Sequence, residues 1–156
     1  MGKIKKILAP TDFSELSKIG IRYALEAARD VSAEVVVYHV IDFGGDWTNV
    51  RAAHAPYRDM LENSRQVLDR FLASNFADCI DLVEVRQVIE FGTPHKNIVE
   101  VATTEGVDLI VMSTHGRTGL DHLILGSVAE KVVARAPCPV LIVPPRGHVA
   151  TMAHAA

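Results

Sequence analysis

The chain is poor in several features that would mark a specialised protein. Cysteine is scarce: Cys79 and Cys138 are the two in 156 residues, and they have no CxxC spacing. A disulfide framework is therefore not expected, and both read as reduced, buried thiols of a cytoplasmic protein. Basic charge is not in excess either, since 16 Lys and Arg against 19 Asp and Glu give a net charge of −3. That argues against nucleic acid as a main partner, because a phosphate backbone calls for a basic face. No apolar run reaches the ~20 residues of a bilayer span, so no membrane insertion is expected. The start, MGKIKKILAP, passes straight into strand-like sequence with no cleavable apolar segment. Lys6 also stands where a myristoylation motif after Gly2 needs Ser or Thr.

Catalytic signatures are missing as well. There is no GxxxxGK[ST] loop, no GxGxxG after the first strand and no GxSxG elbow. Seven histidines include no HxxxH or HxH pair, so no metal ligand is assigned. Asp12 lacks the acidic neighbour that a phospho-accepting receiver domain needs. No nucleophile, histidine and carboxylate can be assembled, and no catalytic residue is assigned.

What remains is 49% apolar and 22% charged, the composition of one globular domain, here residues 1–145. The tail 146–156 has no face to bury and is expected to be disordered. Residues 3–9 read as a first strand. Ser14 is a good cap for a helix whose apolar face runs through Leu16, Ile19, Tyr23, Ala27 and Val31, with small Gly20, Ala24 and Ala28 alongside. Val35 to Val40 is a strand apolar on both faces, as in a parallel sheet. Asp42 to Pro56 is irregular and reads as a flexible lid or partner surface, followed by a helix carrying Met60, Leu61, Val67, Leu68, Phe71 and Leu72. Asp81 to Val88 alternates and is expected to be a third strand at a sheet edge. Thr93 and Pro94 open a further helix and Gly106 stops it. Leu109 to Met112 is the fourth strand, Ser127 to Arg135 a helix opened by a Ser127-x-x-Glu130 capping box, and Val140 to Val143 the last strand. Five strands alternating with four helices imply a mostly parallel, doubly wound α/β sheet. Ligands on such sheets sit at the carboxyl ends of the strands.

The stretch from Val107 to Val128 carries the chemistry. An apolar strand breaks into the turn Ser113-Thr114-His115-Gly116, and Gly126-Ser127 then opens a helix. Strand, glycine-bearing loop and helix N-terminus form an arrangement that holds phosphate. Gly116 and Gly126 would let the backbone approach phosphate oxygens, Ser127 would donate to them, Arg117 would neutralise a terminal one, and His115 lies in the same loop. Ser127 reads equally as a plain helix cap, and the glycines as plain turn formers. Pro10-Thr11-Asp12 and Val40-Ile41-Asp42 would reach the same crevice. Asp12 suits a ribose, a base edge or a metal, and equally the local chemistry of a turn ahead of Ser14.

With these residues in view, the chain resembles a universal stress protein of the nucleotide-binding subclass. The likeness runs from KKILAPTDFS through HVID at 39–42, FGTPHKNI at 91–98, GVDLIVMSTHGRTGL and LGSVAEKVV to APCPVLIVP. The family's ATP signature is G-x2-G-x9-G-[ST]. Gly116 and Gly126-Ser127 fit it, and Ser113 replaces the first glycine. The resemblance implies a Rossmann-like, adenine nucleotide alpha hydrolase-like fold of three layers, with five parallel strands in the order 3-2-1-4-5. It implies that Pro10, Thr11, Asp12 and Val40 line an adenine and ribose pocket. Met112, Ser113 and Gly116 would continue beneath the sugar and phosphates, with His115 and Arg117 near the phosphate tail. Gly126, Ser127 and Val128 would grip the phosphates of ATP, ADP or AMP, with Mg2+ bridging their oxygens. It also implies a homodimer through Val140–Val143, an apolar strand that would be an open edge, and an unidentified protein partner. The activity implied is that of a nucleotide-responsive stress sensor or adaptor. Two other readings stand beside it: slow ATP hydrolysis or self-phosphorylation at Ser127 or a nearby hydroxyl, and an interaction module without nucleotide.

Overall fold

A computed structural model describes residues 2–42, 44, 54–114, 125–145 and 151–153, with 54–56 and 151–153 described in their backbone alone. The elements run β1 (Lys6–Pro10), α1 (Glu15–Val31), β2 (Glu34–Ile41), α2 (His54–Phe76), a short 3-10 turn (Ile80–Leu82), β3 (Val85–Phe91), α3 (Pro94–Thr104), β4 (Leu109–Ser113), α4 (Ser127–Arg135), β5 (Val140–Val143) and β6 (Thr151–Ala153). The sheet order is β3-β2-β1-β4-β5-β6. Its first five strands are parallel, so the expected five-stranded order 3-2-1-4-5 is the observed one. Strand order reverses between β1 and β4, and the connections after these two strands part there to leave a crevice.

Strands apolar on both faces dictate the layering. Ile7, Val35, Val37, Val111 and Val143 face α1 and α2, where Ile21, Leu25, Leu68 and Phe76 complete one core. Leu8, Val36, Tyr38, Ile110, Met112 and Ile142 face α3 and α4, where Ile98, Val101 and Val132 complete the other. Each fully buried aliphatic side chain contributes about 1.5–3 kcal/mol, so the two cores hold the layers without help from a disulfide. Cys79 and Cys138 are both free, and burial pushes the Cys138 thiol up to about 11. Lys6, Glu34, Arg86 and Glu105 form a charge network at the amino end of the strands, away from the crevice.

Local rules account for most boundaries. The Ser14 hydroxyl accepts from the Ser17 N–H at 3.2 Å and caps α1. Pro94 opens α3 after Thr93, although it is the Asn97 carboxamide, and not the Thr93 side chain, that ties down this turn by accepting from the Thr93 N–H. Gly106 has φ +61° just beyond α3, the left-handed stop that glycine allows.

Five expectations need correcting. The third strand does not begin at Asp81: residues 80–82 close a 3-10 turn, with the Val83 N–H donating to the Ile80 carbonyl, and the strand runs on to Phe91. Seven residue pairs with β2, from Val35↔Val85 to Ile41↔Phe91, set that register; the edge position holds. The second helix begins at His54, inside the segment read as irregular to Pro56. The remainder of that supposed lid, Phe43 and 45–53, lies outside the described residues. The tail is not wholly without structure, because Thr151–Ala153 pairs antiparallel with β5 as Val140↔Ala153, Leu141↔Met152 and Ile142↔Thr151. For the same reason β5 is not an open edge. Finally, Ser127 does not open a capping box: Gly126 is the N-cap residue, and Ser127 is the first residue of α4.

Candidate functional site

At the carboxyl ends of β1 and β4 lies a crevice of about 180 Å³. It is lined by Pro10, Thr11, Asp12, Val40, Met112, Ser113, Gly126, Ser127 and Val128, together with Ser14, Leu16, Ser17, Tyr38, Pro94, Ile98, Thr114 and Ala129. Nine residues singled out from the sequence therefore meet at one place, although they come from the ends of three strands, the turn after β1 and the start of α4. His115, Gly116 and Arg117 lie outside the described residues.

The turn after β1 is held by its own hydroxyls. The Thr11 and Ser17 hydroxyls are 2.8 Å apart, and Ser17 donates onward to the Ser14 carbonyl at 2.8 Å. The Thr11 Oγ1 also accepts from the Phe13 N–H at 3.0 Å, while Asp12 Oδ1 accepts from the Ser14 N–H at 2.9 Å. These bonds keep Phe13 at φ +63°, an uncommon conformation for a residue with a side chain. Its ring packs 4.2 Å from His39 and 5.5 Å from Phe71.

His39 Nδ1 lies 2.8 Å from the Thr11 carbonyl, which requires that nitrogen to be the donor. Burial holds the imidazole below its ordinary range, outweighing the opposing pull of the Thr11 bond and of Asp12. His39 therefore pins the turn as a neutral group. Tyr38 is fully buried and donates to Glu90. Burial above all, and then that carboxylate, pushes the phenol well above its ordinary range, so it stays protonated.

Two features define what the crevice can hold. Gly126 is the N-cap of α4 and offers no side-chain cap, so among the described residues no side chain competes for the first-turn N–H groups at the positive end of the helix dipole. An anion suits that position. Ser113, the departure from the glycine signature, has its hydroxyl turned toward α1, accepting from the Gly20 N–H at 2.9 Å. The hydroxyl is thereby occupied on the sheet face that carries α1.

Sequence reasoning missed Tyr38 and Ser17, and placed Thr114 in the loop at the crevice without giving it a role. Tyr38 looks like a core residue of an apolar strand, and it is one. Ser17 carries no signal beyond its place in a helix. Thr114 adjoins Ser113 in the loop, and that adjacency was the available clue.

The universal stress protein family model matches residues 3–144. Universal stress protein MJ0577 of Methanocaldococcus jannaschii is 33% identical over 152 residues, a match covering 89% of this chain and 94% of the relative. The solved structure of MJ0577 superposes with a TM-score of 0.65 at 32% identity, covering 92% of this chain and 97% of that one. A universal stress protein solved in complex with cAMP shares the fold, with a TM-score of 0.61 at 24% identity over 92% of this chain and 98% of its own. A family match across nearly the whole chain, a relative of this identity and the common sheet order agree: the chain belongs to the universal stress protein family.

Proposed function

We propose that the crevice binds an adenine nucleotide, ATP or its ADP or AMP counterparts, and that the chain acts as a cytoplasmic, nucleotide-responsive stress sensor or adaptor. The observation that carries this reading is the uncapped start of α4 at Gly126-Ser127-Val128, opening on a crevice at the switch point of the sheet. Pro10, Thr11, Asp12 and Val40 would line the adenine and ribose, with Met112 and Ser113 beneath the sugar. Backbone N–H groups of Gly126, Ser127 and Val128 would take the phosphates, with Gly116, Arg117 and His115 adding to them. Mg2+ would bridge the phosphate oxygens and offset their charge; among the described residues no cluster of carboxylates, histidines or cysteines could hold a metal by itself. The cAMP complex of a protein with this fold adds support, since cAMP is an adenosine phosphate.

Binding is favoured over turnover because the candidate bases have other work. Asp12 ties down the Ser14 N–H, and His39 is a neutral donor to the Thr11 carbonyl. The same proposal includes a homodimer through Val140–Val143. That pairing requires β6 to come away from β5 first. Thermal unfolding tests the reading: Mg-ATP should raise the midpoint in a concentration-dependent way. No shift at millimolar nucleotide would overturn it.

A further inference from the structure

Thr114 follows β4 directly and is 1% exposed. Its backbone N–H reaches the Val143 carbonyl at 3.4 Å. Its hydroxyl is buried with no hydrogen-bond partner among the described residues, and the residue is one of those that line the crevice. A buried hydroxyl without a partner costs stability, and such groups are rare in folded chains. A valine would fill nearly the same volume without that cost. Three neighbouring hydroxyls are used: Thr11 and Ser17 hold each other, and Ser113 holds Gly20. Thr114 alone among these four is left with an unspent donor and acceptor, and it sits where the strand meets the start of α4.

We infer that Thr114 is a ligand-contacting residue, whose hydroxyl pairs with an oxygen of the bound nucleotide, on the ribose or on a phosphate. The inference rests on the nucleotide reading above and adds a residue to it. Among the described residues the hydroxyl has no partner, and a nucleotide oxygen would supply one. Its presence costs the empty fold and favours the complex, so one substitution should move the two in opposite directions.

The test pairs Thr114→Val with Thr114→Ser in the full chain, measuring unfolding without nucleotide and calorimetric affinity for Mg-ATP. Without nucleotide, Thr114→Val should melt at or above the wild-type temperature. Its affinity should fall roughly three- to tenfold, the equivalent of one lost hydrogen bond. Thr114→Ser should keep wild-type affinity within about twofold. Adenosine and 2′-deoxy-ATP then distinguish the two sources of the oxygen. If Thr114→Val weakens adenosine as much as ATP, the partner is on the sugar, and loss of the effect with 2′-deoxy-ATP assigns it to the 2′-hydroxyl. If adenosine is unaffected, the partner is a phosphate. Wild-type affinity in Thr114→Val, or equal loss in Thr114→Ser, would overturn the inference while leaving nucleotide binding intact. A drop of several degrees in the empty Thr114→Val protein would also overturn it, since it would mean that the hydroxyl already has a structural partner. Absence of binding by the wild type would remove both readings together.

Discussion

The Gly20 N–H donates to the Ser113 hydroxyl across 2.9 Å, joining α1 to the carboxyl end of β4. The two residues are 93 positions apart, yet each explains the other. A Cβ on Gly20 would lie 2.9 Å from the Ser113 Oγ and 3.2 Å from its backbone nitrogen, so the helix can lie this close because position 20 has no side chain. The serine in turn uses the space where the family signature has glycine to reach the helix.

Gly20→Ala should therefore destabilise the fold, even though alanine is the better helix former by about 1 kcal/mol. Overpacking against a neighbouring strand costs about 1–3 kcal/mol, so a net loss is expected in urea unfolding. Ser113→Ala should cost about 1 kcal/mol for the lost hydrogen bond between β4 and α1 and leave Mg-ATP affinity within about twofold. Combining Gly20→Ala with Ser113→Gly should recover part of the loss, a non-additivity that a double-mutant cycle would read directly.

Ser127→Asp separates the two readings of α4's first turn. Ser127 is exposed, and a carboxylate there complements the helix dipole, adding about 0.3–1 kcal/mol to stability. If phosphates use the same N–H groups, the carboxylate repels them, and Mg-ATP affinity should drop tenfold or more, about 1.4 kcal/mol. Higher stability with unchanged affinity would mean that the serine is only a helix residue.

Truncation after Pro145 bears on the dimer. β6 covers β5 along Val140, Leu141 and Ile142, and removing it would expose an apolar edge with unpaired backbone groups. Sedimentation should show the truncated chain self-associating more tightly than the full chain. Equal or weaker association would place the dimer contact elsewhere.

His39 gives a pH dependence whose sign follows from its environment. Its folded pKa lies below the ordinary 6.5, chiefly through burial, so the unfolded chain binds the proton more readily. The contribution of the neutral ring is complete above about pH 6.5 and is lost as pH falls toward the folded pKa. The urea midpoint should decline between about pH 7.5 and 5.5. His39→Asn keeps a donor for the Thr11 carbonyl and should flatten that slope, which an unchanged slope would refute.

Much of this was legible in residues whose local rules leave little choice. Apolar runs at 35–40, 109–112 and 140–143 had to be buried strands, and Ser14 and Gly106 stand where a cap and a stop belong. The crevice could be assembled because a doubly wound sheet gathers the ends of its strands at one side. Long-range terms were hidden. Alternation at Asp81–Val88 could not reveal that pairing with β2 moves the strand on to Phe91. Ser127-x-x-Glu130 has capping-box spacing, but Gly126 has the extended backbone that makes it the cap. The partners of Ser113 and the isolation of Thr114 depend on which helix lies across the strand, and neither leaves a mark in the adjacent sequence.

Calorimetric titration of the full chain with Mg-ATP, run beside Ser127→Asp, tests the central claim most directly. The account predicts saturable binding of one nucleotide per chain, weakened tenfold or more by Ser127→Asp. No saturable heat from the wild type up to millimolar Mg-ATP, or equal affinity in the two proteins, would contradict it.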